Sequence, residues 1–341
     1  MVYRLCFIGF GNVGRALARL LLDQAPELRR QYGIEWKLTG VATRRLGWLA
    51  DPAGLDVEAL LAGNPLAGAR LGEGEVAGWL AAARADALFE VSSLDVTSGQ
   101  PAISYLEAAL RHGAHAITAN KGTVVHGYQA LRDLASAQGK GFRFESTVMD
   151  GAPIFSLFRS TLPLVTLSGF RGILNSTTNV ILERMEAGSS LAEGIAHAQA
   201  LGLAETDPSA DVDGWDAVVK VAALVTVLMN HPIALNSISR EGIRSLTGEA
   251  VRAARAAGTP YKLVCWAMRR DNMVESGVRP QQLALGDPLA QVNGASSAVH
   301  FETDLLPGLT VVEHAPTPVT TAYGMLADFL DLVQPGTGFP G

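Results

Sequence analysis

The stretch Cys6 to Leu22, "CFIGFGNVGRALARLLL", decides how the amino-terminal half of the chain is read. Leu5 to Ile8 is a short apolar run of buried-strand type, and Arg15 to Leu22 is rich in Ala and Leu, as a helix is. Between them Gly9, Gly11 and Gly14 form G-x-G-x-x-G, a spacing that chance alone supplies often in a chain with 36 glycines. A purely structural corner between strand and helix would use the same residues. The strand, turn and helix in that order favour a dinucleotide-binding turn. One glycine then makes the tight turn, one lets the backbone approach a pyrophosphate, and one packs helix on strand. Asn12 and Val13 lie at the helix N-terminus, whose N–H groups face the phosphates.

Outward from this motif, residues 1–144 keep an alternating rhythm: the first strand, a helix over 14–30, "WKLTGVAT", "ADALFEVSS", a helix over 101–112, "HAITAN", a helix over 127–138 and "GFRFEST". This predicts an α/β fold of Rossmann type, a doubly wound parallel sheet with helices on both faces. Residues 47–82, rich in Ala, Gly and Leu, are expected to hold a short helix and a loop. The rhythm changes beyond Val148, so residues 145–312 are assigned to a second, α+β domain for substrate and assembly. Residues 313–341 carry an amphipathic helix over 321–333 that is expected to return to the first domain.

Composition narrows the function classes. With 341 residues, 48% of them hydrophobic, the chain is long enough for two cores. A net charge of -6 without long charge runs gives no basic surface for nucleic acid. The first strand starts next to Met1, leaving no room for a leader, and no apolar run reaches membrane-spanning length. A cytoplasmic protein with no membrane partner is expected. Cys6 and Cys265 sit among apolar neighbours without metal-ligand spacing and read as reduced core residues.

Several polar residues stand where chemistry is expected. An acid at the end of the second Rossmann strand binds the adenosine ribose, and a basic residue there accommodates a 2′-phosphate. Here "LTGVA" is followed by Thr43, Arg44 and Arg45, with no acid before Asp51, which favours NADP over NAD; ordinary solvated loop arginines are the alternative. Ser92 and Ser93 follow one strand, and Asn120 and Lys121 follow another, at the carboxyl ends where ligands of parallel sheets bind. The helix over 212–230 is apolar nearly all round, yet holds Asp216 and Lys220 four residues apart on one face. Charges in such a helix are costly unless paired or used, which favours function; an ordinary surface i,i+4 pair at the frayed helix end is the alternative. Before it, "ETDPSADVDG" carries Glu205, Asp207, Asp211 and Asp213. Such a loop suits an ammonium group or a divalent ion; Glu205 is taken as the binding acid, and the others stay open, Asp211 or Asp213 also suiting a helix cap.

Four motifs, "IGFGNVG", "GQPAISYLEAALRHGAHAITANKG", "GILNSTTNVIL" and "AQALGLAETDPSADVDGWDAVVKVAAL", together span most of the chain and resemble homoserine dehydrogenase, in its short form without an ACT or aspartate kinase domain. The resemblance implies reversible interconversion of L-homoserine and L-aspartate 4-semialdehyde with NAD(P), in the biosynthesis of threonine, methionine and isoleucine. It implies a homodimer formed through the middle domain. It places the catalytic lysines at Lys121 and Lys220, and the substrate-binding acids at Glu205 and Asp216. "FESTVMDGA" resembles the family's loop for a monovalent cation such as sodium, with Glu145 and backbone oxygens around Val148, Asp150 and Ala152. Thr321 and Ala322 match a "TA" that opens the last helix beside the cofactor. This chain departs from the family in having "VEHAPTPVT" where a glycine-rich loop is usual, and Asp150 where a small residue is usual. A dehydrogenase of another amino or hydroxy acid, or a silent dinucleotide-binding protein, are the competing readings. A silent binder needs the glycine turn but has no use for a buried lysine.

Overall fold

The computed structural model describes residues 1–72, 74–271 and 273–334. The chain divides into two compact units, one of Met1–Gly151 plus the segment from Thr317 onward, the other of Ala152–Pro316. The divisions lie seven and four residues beyond the expected 144/145 and 312/313.

In the first unit β1 (Val2–Ile8) leads through α1 (Asn12–Asp23) and α2 (Ala25–Tyr32) to β2 (Glu35–Thr43). The single helix expected over 14–30 is thus two, because Pro26 lacks the N–H a continuous helix needs and instead occupies the first turn of α2. Next come β3 (Gly47–Ala50), α3 (Val57–Ala62), β4 (Ala69–Leu71), α4 (Val76–Ala83), β5 (Ala87–Glu90), α5 (Ala102–His112), β6 (His115–Thr118), α6 (Lys121–Ala137) and β7 (Phe142–Arg143). The sheet order is β4-β3-β2-β1-β5-β6-β7. Strands β2, β1, β5, β6 and β7 run parallel, with residues 5–8, 38–42 and 87–90 buried. Strands β3 and β4 add antiparallel at the edge, so 47–82 holds two strands and two helices where a short helix and a loop were expected. Helix α6 begins six residues earlier than its apolar pattern suggested, because Asn120 caps it by accepting the Gly122 N–H at 3.1 Å. The chain passes from β1 to β2 on one side and to β5 on the other, so the carboxyl ends of β1 and β5 form the topological switch point where ligands bind.

The second unit opens with a short helical turn, α7 (Ile154–Ser156), and then builds on β8 (Leu167–Ile173), α8 (Ser176–Glu186), α9 (Leu191–Ala200), α10 (Ser209–Val212), α11 (Trp215–Leu228), β9 (Ser239–Arg240), α12 (Gly248–Ala256), β10 (Tyr261–Arg270), β11 (Met273–Gln282), β12 (Ser297–Thr303) and β13 (Leu309–Glu313). Its sheet, in the order β13-β12-β8-β10-β11-β9, is antiparallel except where β9 joins β11. This mixed arrangement of sheet and helices matches the α+β expectation. Side chains alternate along β10: Arg269 reaches the Met229 carbonyl at the end of α11, while Trp266 and Met268 point to the other face. There Trp266 pairs with Arg171, and Arg171 with His300, all half-buried.

Helix α13 (Pro318–Val333) belongs to the first unit. It starts three residues before the expected 321, behind a Thr317 capping box with Pro318 at the first position. Ala322, Met325 and Phe329 are buried in the core of that unit, and the Phe329 ring meets Tyr3 edge-on at 5.4 Å. Both cysteines are buried and free of disulfides, and burial pushes each thiol up to about 12. Among the described residues no helix is long and apolar enough to cross a membrane.

Candidate active site

The first unit carries a cradle at the switch point. Gly9 adopts φ +93, and a Cβ there would lie 2.4 Å from the Val91 carbonyl oxygen, so only glycine holds this turn against the exit of β5. A Cβ on Gly14 would meet the Gly9 oxygen at 2.9 Å, which brings α1 against the turn. Gly11 differs, because nothing lies within 4 Å of its added Cβ. It caps α1 with no side-chain bond, and the first turn, with Asn12 and Val13, holds no acid. Those N–H groups are open to an anion, which is the fit a pyrophosphate requires. The turn between β2 and β3 is held by Thr43, whose hydroxyl oxygen accepts the Leu46 N–H at 3.0 Å. Arg44 and Arg45 extend from it, exposed and without an ion pair among the described residues.

At the other strand ends, Ser92 is drawn inward. Its hydroxyl donates to Glu90 Oε1 at 2.5 Å and its N–H to the same atom at 2.8 Å, while Ser93 is exposed. Asn120 is 5% exposed, and Lys121, the first residue of α6, is half-buried. Thr321 lies in the second turn of α13, where its hydroxyl donates to Asp150 Oδ1 at 2.5 Å. The match to a residue opening the helix is corrected accordingly, since Thr317 takes that place.

In the second unit three separate motifs converge. Strand β8 ends before Leu174 and Asn175, and Asn175 caps α8 by accepting the Thr178 N–H at 2.8 Å. Its amide nitrogen donates to Asp211 Oδ1 at 2.6 Å and to Asp216 Oδ2 at 3.0 Å. Lys220 Nζ donates to the Leu174 carbonyl at 2.7 Å and stands 3.6 Å from Asp216 Oδ2. The side chains of Lys220 and Asp216 keep 18% and 19% exposure, enough to meet a small ligand. Two carboxylates against one ammonium leave an excess negative charge, complementary to an α-ammonium group. Burial is the main force raising the Asp211 carboxyl, and Asp216 adds to it; bonds from Asn175 and Thr177 oppose the rise.

The acidic loop divides differently from expectation. Asp211 belongs to this cluster, and neither it nor Asp213 is an N-cap: Pro208 caps the start of α10 and Gly214 that of α11, while Asp213 ends α10. Asp213 is bound by Arg244, and its carbonyl by Arg240. Glu205 is exposed, anchored through its backbone carbonyl to Gln199, and its carboxylate is not among the groups that Asn175 gathers.

In the expected cation loop Glu145 is 3% exposed and Val148 is buried. Asp150 takes φ +39, and the Ala152 carbonyl accepts the Ile154 N–H at 2.8 Å. A carboxylate and carbonyls are the oxygen donors a hard cation takes. Among the described residues no group of three or more His, Cys, Asp or Glu could hold a metal ion.

Two residues escaped the sequence reading. Asn175 and Glu90 both had a signal, a polar side chain ending an apolar strand, in "GILN" and "ALFE". Lys262, inside "YKLVCW", is 3% exposed, but its ammonium is filled by Asn179, the Val292 carbonyl and Asn293, so it acts as a strut.

Both units resemble known proteins. Residues 9–145 match the family model "Homoserine dehydrogenase, NAD binding domain" and residues 153–330 the model "Homoserine dehydrogenase". The chain is 35% identical to the NAD(+)-dependent homoserine dehydrogenase of Pseudomonas canavaninivorans, over 98% of this chain and 97% of that one. A crystal structure of a putative homoserine dehydrogenase from Archaeoglobus fulgidus superposes with TM-score 0.85 at 27% identity, covering 96% and 98% of the two chains. A hyperthermophilic archaeal homoserine dehydrogenase mutant in complex with NADPH superposes with TM-score 0.81 at 26% identity, covering 98% of each.

Proposed function

The chain belongs to the homoserine dehydrogenase family, and on that premise we propose how its own residues divide the work of interconverting L-homoserine and L-aspartate 4-semialdehyde. It is a nicotinamide-dependent oxidoreductase acting on a CH–OH group of a small molecule. The observation that carries the site reading is the cluster of Asn175, Asp211, Asp216 and Lys220.

The bound dinucleotide supplies or takes the hydride. Asp211 and Asp216, fixed side by side by one amide, bind the substrate's ammonium and hydroxyl ends, and Glu205 joins them from its loop. Lys220, oriented by the Leu174 carbonyl, stabilises the charge that builds on the substrate oxygen. Lys121, at the start of α6, is the proton donor and acceptor. Gly9, Gly11, Asn12, Val13 and Gly14 hold the pyrophosphate; Ser92, Ser93, Asn120 and Thr321 line the cofactor side.

We assign NADP as the preferred dinucleotide, with NAD usable, on the exposed Arg44 and Arg45 and the absence of an acid beside them. A monovalent cation such as sodium is assigned to Glu145 and the carbonyls of Val148, Asp150 and Ala152. Exchange into sodium-free buffer tests it, an unchanged rate removing the cation from the account. A homodimer formed through the second unit, in the cytoplasm, completes the reading; the half-buried row Trp266, Arg171 and His300 on one face of that unit's sheet is its candidate contact.

The lysine roles are tested by steady-state kinetics. Lys121→Ala and Lys220→Ala are each expected to lower kcat by roughly 100-fold or more while dinucleotide affinity stays within about threefold. Near-normal turnover in both variants contradicts the assignment.

A further inference from the structure

The proposed division of work leaves one buried acid in the first unit unused. Glu90 ends β5 with no exposed surface. Its Oε1 accepts the N–H and the hydroxyl of Ser92, at 2.8 and 2.5 Å, and its Oε2 accepts the Thr118 hydroxyl at 2.7 Å. Thr118 passes the connection on, its oxygen accepting the Asn120 N–H at 2.9 Å. Asn120 then caps α6 through the Gly122 N–H, and its carbonyl accepts the Thr123 hydroxyl at 2.7 Å. Ser92 stands at the other end, directly beside the place where the backbone of Val91 presses on the Gly9 turn. An unbroken path of hydrogen bonds therefore runs from the loop under the glycine cradle, through one carboxylate, to the residue preceding Lys121.

We infer that Glu90 is a positioning residue for the dehydrogenase reaction: its carboxylate bridges the exits of β5 and β6 and fixes the first turn of α6, with Lys121, relative to the glycine turn. A buried carboxylate is costly unless its oxygens are filled, and here three donors fill them. The two hydroxyls and the Ser92 N–H are in turn committed to it. Burial is the main influence and holds the Glu90 carboxyl above its ordinary value, while the bonds from Ser92 and Thr118 oppose that rise. A carboxylate so placed does not touch substrate; it acts through Ser92, Thr118 and Asn120. The inference rests on the reading of Lys121 as the proton-transferring group.

The experiment compares the full-length protein with Glu90→Gln, Glu90→Asp, Thr118→Val, the Glu90→Gln/Thr118→Val pair and Lys121→Ala, measuring kcat, KM, dinucleotide Kd and the thermal midpoint. Gln keeps the volume but presents an amide N–H where the Thr118 hydroxyl donates. Asp keeps the charge but is one methylene too short to span both exits. Each single change at Glu90 or Thr118 is expected to lower kcat by roughly tenfold, with KM for homoserine within about threefold and an unshifted thermal midpoint. The double variant is expected to fall no further than the poorer single one, because both break the same path. Wild-type kcat in Glu90→Gln and Thr118→Val, full rescue by Asp, or losses that track the thermal midpoint overturn the inference. Near-normal kcat in Lys121→Ala instead overturns the reading of Lys121 and takes from Glu90 the group it is inferred to position.

Discussion

Asp211 shows at the scale of one residue how function and stability pull apart. Its carboxyl is held above the usual carboxylate range, chiefly by burial. The folded protein therefore keeps that proton to higher pH than the unfolded chain does, and the site's contribution to stability falls as pH rises through the raised value. At neutral pH the ionised group is a net cost, retained for the ammonium it is proposed to bind. Asp211→Asn keeps an oxygen for the Asn175 amide and removes the cost. Its thermal midpoint is expected to equal or exceed wild type near neutral pH, with the margin narrowing in acid as the native carboxyl protonates, while turnover falls. A midpoint depressed more at neutral pH than in acid contradicts this. The sequence singled out Asp216 and Lys220 because charges in an apolar helix stand out. It left Asp211 open between cap and binding acid because an acid before a helix has two physical uses, and only the position of Asn175, 36 residues earlier, decides between them.

At the scale of elements, the glycine turn makes a prediction that a structural corner does not. Gly9 is required by its own backbone, with φ +93 and no room for a Cβ, whereas Gly11 has open space around it. Gly9→Ala is expected to damage folding of the first unit, seen as a lowered thermal midpoint. Gly11→Ala is expected to leave the midpoint in place and weaken dinucleotide binding by roughly tenfold or more, since the methyl fills the cradle. Equal dinucleotide affinity for Gly11→Ala and wild type removes the phosphate-binding reading. The alternation of strands and helices and the returning carboxyl-terminal helix were legible, because long apolar runs and a 3.6-residue period report burial directly. Strands β3 and β4 were not. Four and three residues long, and antiparallel at a sheet edge, they are too short to show a period, and their pairing is set by contacts distant in sequence. The break between α1 and α2 was legible in principle from Pro26, and the early start of α6 from Asn120.

At the scale of the whole molecule, the two units bring different chemistry. The first offers an anion cradle at a topological switch point, and the second an acidic cluster with one lysine. Together they match what a nicotinamide-dependent oxidation of an amino alcohol requires, and the family models cover both. Cofactor choice rests on far less, a three-residue turn after β2 whose arginines are exposed. The most direct measurement is the initial rate of nicotinamide absorbance change with purified protein and L-homoserine, run in parallel with NADP+ and NAD+. The account predicts homoserine-dependent reduction of the dinucleotide, faster with NADP+. A faster rate with NAD+ keeps the enzyme and contradicts the role of Arg44 and Arg45. Dinucleotide binding without homoserine-dependent turnover contradicts the central claim.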